Sequence, residues 1–92
     1  MLSQAPLDLS KVDPKNIDRE ICRLGMIAEL DATSLYEQLA AMAKSGKIKN
    51  ILLDIAKEEK THTGEFQALL LEIDKEQAEE LKAGAEEVKE KA

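Results

Sequence analysis

Two residues in this 92-residue sequence combine the chemistry and the spacing of a metal site. Glu59 and His62 lie three positions apart, so on a helix both side chains project from one face. At about 100° per residue they fall in the middle of a stripe that is otherwise apolar. A carboxylate buried there without a partner is strongly unfavourable, so something must compensate Glu59.

Two explanations for this polar pair stay open. A lysine, an arginine or a water-filled notch would compensate Glu59 without any metal. Alternatively, a carboxylate oxygen and an imidazole nitrogen at this spacing bind one metal ion. Glu-x-x-His is a weak signal by itself, because any charged helical sequence can produce it by chance.

Glu29 is a third candidate ligand, carried by the preceding helical segment. It lies seventeen residues before Gly46, and Glu59 lies thirteen residues after it. If the chain folds back at Gly46, the depths of the two glutamates differ by about 6 Å at 1.5 Å per residue. We therefore expect Glu29, Glu59 and His62 to converge. Glu29 is the one charged residue in a strip of mostly small side chains that would let another helix approach: Cys22, Gly25, Ala32, Tyr36, Ala40 and Ala43.

The first helix that must position these residues follows from apolar periodicity. Apolar side chains recur at three, four and seven positions through residues 17–42. Asp13 and Pro14 are a typical N-cap and first helical residue. We expect the helix to run to about Ser45, with Gly46 as the residue that follows its C-cap.

A second apolar run covers residues 48–73, and a third helix is expected after it. Asp74 followed by Gln77 resembles a capping box. No segment alternates with period two, so no sheet is expected. The predicted fold is all-α, an antiparallel two-helix hairpin plus a short C-terminal helix. The predicted divisions are an irregular leader at 1–12, the hairpin at 13–74 and the C-terminal helix or tail at 75–92.

Glycines at two helical positions suggest where the helices approach closely. Glycine costs helix stability, so Gly25 and Gly64 make sense if another part of the chain packs against them. The chain is also short and contains only two aromatic residues, Tyr36 and Phe66. A chain of this size buries only about 60% of its unfolded surface, which leaves a thin core and favours an oligomer.

The number of candidate ligands matches this expectation of an oligomer. A di-iron site in a helix bundle uses one Glu from each of two helices and Glu-x-x-His from each of the other two. This chain carries half of that set in Glu29, Glu59 and His62. We expect a homodimer related by a twofold axis to provide four helices and the complete site.

Charge and composition exclude several other classes of partner. The formal net charge is −6, spread along the chain, whereas a nucleic-acid partner usually needs a basic stripe. No stretch reaches the roughly 20 apolar residues of a membrane span, and the first nine residues do not resemble a secretory signal. With Cys22 as the single cysteine, no intrachain disulfide is possible, and we expect a cytoplasmic protein.

Two segments resemble the encapsulated ferritins, short ferritin-like proteins held inside encapsulin nanocompartments. They are Ala-Glu-Leu-Asp-Ala-Thr-Ser-Leu-Tyr-Glu-Gln at 28–38 and Glu-Glu-Lys-Thr-His at 58–62, and the resemblance covers roughly residues 20–75. It implies that Glu29, Glu59 and His62 bind iron in a di-iron centre shared by two subunits. Tyr36 matches a tyrosine beside that centre.

The resemblance also implies an assembly and an activity. The family forms a ring-shaped decamer of five dimers, oxidises Fe(II) as a ferroxidase, and supplies stored iron to an encapsulin shell protein, to which some archaeal relatives are fused. Relatives tend to have acidic residues lining an outer metal-uptake site, where this chain has Ala28 and Asp31. Asp31 and Glu58 are the candidates for that role here, whereas Ala28 cannot bind a metal.

Two alternative functions remain at this stage. One is another di-metal activity, such as peroxide reduction of the rubrerythrin kind, although no rubredoxin-type Cys-x-x-Cys is present. The other is a purely structural helical hairpin in which Glu59 and His62 are buried polar residues that specify the pairing.

Overall fold

The computed structural model describes residues 8–91 and consists of three α-helices with two short 3-10 turns. The helices are α1 (Ile17–Met42), α2 (Gly46–Ile73) and α3 (Lys75–Glu90). The described residues contain no strand, so the predicted all-α fold is confirmed. None of their helices is apolar enough over a sufficient length to cross a membrane.

The N-terminal part of the chain differs in detail from the expectation. Asp13 accepts a hydrogen bond from the Lys15 amide and caps a 3-10 turn, Pro14–Asn16, which leads into α1. In the predicted leader, residues 1–7 lie outside the described part, and Leu9–Lys11 form one 3-10 turn. The division of the chain at residues 13 and 75 stays a prediction.

The turn between α1 and α2 was predicted incorrectly. The first helix ends at Met42, because Ala43 has an extended backbone (φ −67°, ψ 134°). Gly46 does not follow a C-cap but is the first residue of α2, and no described glycine has positive φ. The physical reason is Ser45, whose hydroxyl accepts a hydrogen bond from the Ile48 amide and so caps the second helix.

The beginning of the third helix is confirmed. The Asp74 side chain accepts a hydrogen bond from the Gln77 amide at 3.0 Å and caps α3. Asp74 also pairs with Arg23 of α1 at 3.4 Å, which ties this junction to the hairpin. Beyond Ala78 every described residue of α3 is exposed, although Leu81 still lines a groove with Met26 and Leu30 of α1.

The hairpin is closed by the strip of small side chains on α1. Cys22 and Ala40 of this strip are buried, as are Ala56 and Leu70 of α2. Gly25 explains part of the close approach, because a Cβ placed there would lie 2.6 Å from Cδ1 of Phe66. The expectation is therefore confirmed at Gly25, whereas nothing lies within 4 Å of a Cβ placed on Gly64.

Several of the larger apolar side chains of both helices remain on the surface. Ile21 of α1 and Leu69 of α2 are about half exposed and line one shallow groove, which shows that the two stripes share one face of the hairpin. We call this surface the exposed apolar face. Its members with large exposed side chains are Ile21, Leu39, Met42, Ile48, Ile51, Leu69 and Ile73.

Candidate metal centre

Three potential metal ligands converge midway along the hairpin. One ligand atom from each of Glu29, Glu59 and His62 lies within 4.8 Å of the others. Nδ1 of His62 is 3.4 Å from Oε2 of Glu29 and 3.6 Å from Oε2 of Glu59. The side chains of Glu29, Glu59 and His62 therefore lie close together, as the sequence predicts.

The three side chains differ in how far they reach solvent. The Glu29 and Glu59 side chains are 20% and 18% exposed, whereas His62 is 44% exposed. Along α2, His62 lies seven residues before Leu69, two helical turns away on nearly the same line. The imidazole therefore lies on the side of the hairpin that carries the exposed apolar face, with the carboxylates behind it.

Glu29 carries an oxygen whose hydrogen-bonding capacity is unmet. Its Oε2 is buried and has no hydrogen-bond partner in the described part of the chain. The ion pairs that lysine and arginine make within residues 8–91 involve other carboxylates, such as Glu37, which pairs with Lys60 at 3.1 Å. A buried carboxylate oxygen in this state is costly, and a cation placed among the three side chains would satisfy it.

The proximity of these groups changes their proton affinities. A hydrogen bond with the Glu59 carboxyl, burial and repulsion between the two carboxylates raise the pKa of Glu29, and the attraction of His62 only partly offsets them. Desolvation acts to lower the pKa of His62, but the charges and hydrogen bonds of Glu29 and Glu59 outweigh it, so the net shift is upward. Both shifts favour the protonated forms, so protons and a cation compete for the cluster.

The donor set is suited to particular metals. Two carboxylates and one imidazole are hard and borderline ligands, which suit iron or manganese, whereas structural zinc sites generally use thiolates and four closed positions. Cys22, the one cysteine, is buried on α1 seven residues before Glu29 and does not belong to this group. Three ligands alone leave coordination positions open.

The remaining predicted site residues lie around the cluster without joining it. Tyr36 is half-buried on α1, two turns beyond Glu29 on the same side of the helix. Asp31 is partly exposed on α1, and Glu58 is exposed on α2 beside Glu59. Their roles beside the centre and in metal uptake stay predictions.

Two threonines near the cluster were not singled out from the sequence. The Thr33 hydroxyl donates to the main-chain carbonyl of Glu29 at 2.8 Å, and the Thr63 hydroxyl donates to that of Glu59 at 3.0 Å. The sequence pattern that could have identified them is Glu-x-x-x-Thr, in which both Glu29 and Glu59 occur.

Comparison with known proteins gives consistent results. The sequence model of the Rubrerythrin family matches residues 20–92. The chain is 52% identical over 92 residues to a ferritin-like-encapsulin shell fusion protein of Pyrococcus furiosus, covering 98% of this chain but only 27% of that protein's length. The crystal structure of an encapsulated ferritin domain from Pyrococcus furiosus superposes with a TM-score of 0.82 at 52% identity, covering 98% of this chain and 94% of that one.

Proposed function

We propose that this chain, which belongs to the rubrerythrin family and within it to the encapsulated ferritins, is a ferroxidase that oxidises Fe(II) to Fe(III) with O₂. The observation that carries the proposal is the buried, unpartnered Oε2 of Glu29 beside Glu59 and His62. A divalent cation placed among the three side chains would satisfy this oxygen.

Glu29, Glu59 and His62 fit the substrate. Their oxygen and nitrogen donors suit Fe(II), and the negative charge of the carboxylates favours the higher oxidation state of the product. In the proposed reaction a pair of Fe(II) ions would give up one electron each to O₂, which takes up two protons and leaves as hydrogen peroxide. Cation binding requires the deprotonated forms of Glu29 and His62, and the raised pKa of each group means that protons compete with the ion.

One chain supplies only half of a di-iron site, so the proposed enzyme is a homodimer. The exposed apolar face supports this pairing, because His62 opens onto it and water would otherwise cover side chains such as Ile51 and Leu69, each at least half exposed. A second copy packed there would bring its own Glu29, Glu59 and His62 to the same axis and complete a ferritin-like four-helix bundle.

The wider assembly is also part of the proposal. A decamer of five dimers follows from family likeness, and storage of the oxidised iron inside an encapsulin nanocompartment in the cytoplasm follows from the fusion of the Pyrococcus furiosus relative to a shell protein. This chain spans about a quarter of that relative, 27% of its length, and would correspond to its ferritin-like part.

A second candidate is reduction of peroxide at the same di-metal site. The match of residues 20–92 to the Rubrerythrin family favours it. The two activities separate when anaerobic Fe(II)-loaded protein receives either O₂ or hydrogen peroxide in equal electron equivalents. Faster oxidation by O₂ supports the ferroxidase, and oxidation by peroxide alone supports the alternative.

The central test is iron binding and oxidation by variants of the ligands. We expect Glu29→Gln and His62→Ala to lose Fe(II) oxidation by at least about tenfold, because each removes a ligand from the site. Glu65→Gln is the matched control, since Glu65 is an exposed carboxylate on α2. Anomalous diffraction at the iron edge should reveal metal at Glu29, Glu59 and His62 between two chains.

The same measurements can also contradict the ferroxidase proposal. If His62→Ala oxidises Fe(II) at the rate of the wild type, the histidine has no part in the chemistry. If the wild-type protein binds no metal and still forms dimers, Glu59 and His62 are structural polar residues and the ferroxidase proposal is wrong.

A further inference from the structure

Each carboxylate ligand is followed by a threonine at the same spacing and in the same contact. Thr33 donates its hydroxyl to the Glu29 carbonyl at 2.8 Å, and Thr63 donates to the Glu59 carbonyl at 3.0 Å. The arrangement thus occurs once on α1 and once on α2. The third threonine of the chain, Thr61, is exposed and precedes His62.

We propose that Thr33 and Thr63 are positioning residues, which fix the helical turns from which Glu29 and Glu59 project. The inference rests on the proposed function. In an α-helix the carbonyl of residue i already accepts the amide N–H of residue i+4. The threonine hydroxyl adds a second hydrogen bond to the same carbonyl, which selects one χ1 rotamer and restrains the turn between ligand and threonine.

Packing or helix stability alone does not account for threonine at these positions. Threonine is a poor residue for a helix interior, and its bond to the preceding carbonyl slightly destabilises a helix. Thr33 is nevertheless buried, at 8% exposure, and it is the one polar residue in the buried set of the described chain. Valine would fill the same volume without a hydroxyl, so the hydroxyl itself requires an explanation.

The same contacts leave the carboxylates of Glu29 and Glu59 available to a metal ion. The Thr33 hydroxyl donates to a main-chain carbonyl rather than to Oε2 of Glu29, which lies 3.4 Å from Nδ1 of His62. A metal ion can then use this oxygen without first displacing a threonine hydroxyl. Thr33 and Thr63 therefore act through the ligands and have no contact with the metal themselves.

The test uses full-length protein and Co(II), which binds oxygen and nitrogen ligands and whose visible absorption reports coordination geometry. Thr33→Val and Thr63→Val remove the hydroxyl at constant volume. Thr33→Ser and Thr63→Ser keep the hydroxyl and remove the methyl group. Thr61→Val is the matched control on α2. Affinity is measured by calorimetric titration, and amide hydrogen exchange of the metal-free proteins reports the two turns separately.

We expect each valine variant to bind Co(II) about tenfold more weakly, the lower end of what loss of an outer hydrogen bond to a metal site costs. Its Co(II) spectrum should change, and exchange should accelerate at the turn that carries the substitution. The serine variants and Thr61→Val should match the wild type in affinity and spectrum, whatever their melting temperatures.

Two results would overturn the inference and leave the ferroxidase proposal standing. One is wild-type Co(II) affinity and spectrum in both valine variants. The other is an equal loss in the serine and valine variants, which would assign the effect to the methyl group. Failure of the wild-type protein to bind Co(II) or Fe(II) would instead reject the proposed function, and this inference with it.

Discussion

Glu29 carries a buried carboxylate oxygen for which no hydrogen bond is found within the described residues of the metal-free protein. Its carboxylate lies next to that of Glu59, and a hydrogen bond with the Glu59 carboxyl, burial and repulsion between the two carboxylates raise its pKa. His62 compensates only in part, because its imidazole is positioned between two acceptors and is the most exposed of the three. The cluster is therefore suited to a divalent cation, which carries more positive charge than a proton.

The raised pKa values predict how metal binding depends on pH. Glu29 and His62 both bind protons more tightly in the folded metal-free protein than in the unfolded chain, so each contributes folding stability at low pH. The contribution of each group is lost as pH rises through its own raised pKa, first for Glu29 and then for His62. A bound cation requires both groups deprotonated. Stabilisation by Mn(II), which has the charge of Fe(II) and does not react with O₂ under mild conditions, should therefore increase with pH.

The measurement is the shift in melting temperature caused by Mn(II) at about pH 5.5 and about pH 7.5, which bracket the ordinary range of histidine. We expect a larger shift at the higher pH. In His62→Gln the shift should be smaller and should vary less with pH across this range. An Mn(II) shift that is equal at both pH values in the wild type would contradict the protonation state inferred for the cluster.

At the scale of the helices, the distance between α1 and α2 determines whether Glu29 approaches Glu59 and His62. Gly25 lies one turn before Glu29, and Phe66 lies one turn after His62. The Phe66 ring occupies the space that a side chain at residue 25 would need, with three ring carbons 2.6 to 2.8 Å from an ideal Cβ. This contact sets how closely the helices pack at one end of the metal centre.

Gly25→Ala should therefore destabilise the hairpin. The added methyl group must displace the Phe66 ring or separate the helices, and overpacking of this kind typically costs about 1–3 kcal/mol. Gly64→Ala is the matched control, because nothing lies within 4 Å of a Cβ there. It should stabilise α2 by about 0.5–1 kcal/mol through helix propensity.

Chemical denaturation of both variants measures these free energies of unfolding. Metal affinity adds a second comparison, since Gly25→Ala should also weaken Co(II) binding while Gly64→Ala should leave it unchanged. Equal stabilities of the two variants would mean that the hairpin relaxes at no cost and that Phe66 does not set the helix spacing.

The helices and the Glu59–His62 pair could be predicted from the sequence because both are local patterns, whereas their role in binding metal stays a prediction. Periodic apolar residues, the cap at Asp74 and the Glu-x-x-His spacing depend on a few neighbouring residues. The turn was misjudged because Gly46 and Ser45 are each compatible with more than one position at a helix end, and the hydrogen bond from the Ile48 amide decides between them.

The contacts between helices required the structure. The ring of Phe66 against Gly25 depends on the rotation and depth of two helices, which periodicity fixes only to within a turn. The bonds made by Thr33 and Thr63 depend on side-chain rotamers. The junction formed by Arg23 and Asp74 joins residues 51 positions apart, too distant for any local pattern.

At the scale of the whole molecule, the single chain exposes too much surface for its size. Its accessible surface is 7071 Å², whereas a compact monomer of 10.2 kDa would expose about 5,300 Å². Its radius of gyration is 16.3 Å, compared with about 12 Å for a compact domain of this length. The excess of roughly 1,800 Å² per chain is larger than the roughly 800 Å² that each partner buries in a standard interface. The exposed apolar face supplies a surface that such an interface would cover.

The proposed dimer predicts that a charge on this face separates the subunits and removes the activity. Leu69 is 50% exposed and shares a groove with Ile21, so Leu69→Glu would place a carboxylate within the proposed apolar contact at a desolvation cost of several kcal/mol. We expect the variant to keep its helical circular dichroism, to sediment as a monomer and to lose Fe(II) oxidation, because each chain then holds half a site.

Leu53→Glu is the matched control for this last prediction. Leu53 is similarly exposed, at 44%, but sixteen residues separate it from Leu69, so it lies about 160° away around α2. A charge there should leave the paired chains and their Fe(II) oxidation intact. A dimeric Leu69→Glu protein would place the subunit contact on another face. A monomeric one that oxidises Fe(II) at the wild-type rate would mean that one chain suffices for the chemistry, which the ligand count of a shared di-iron site does not allow.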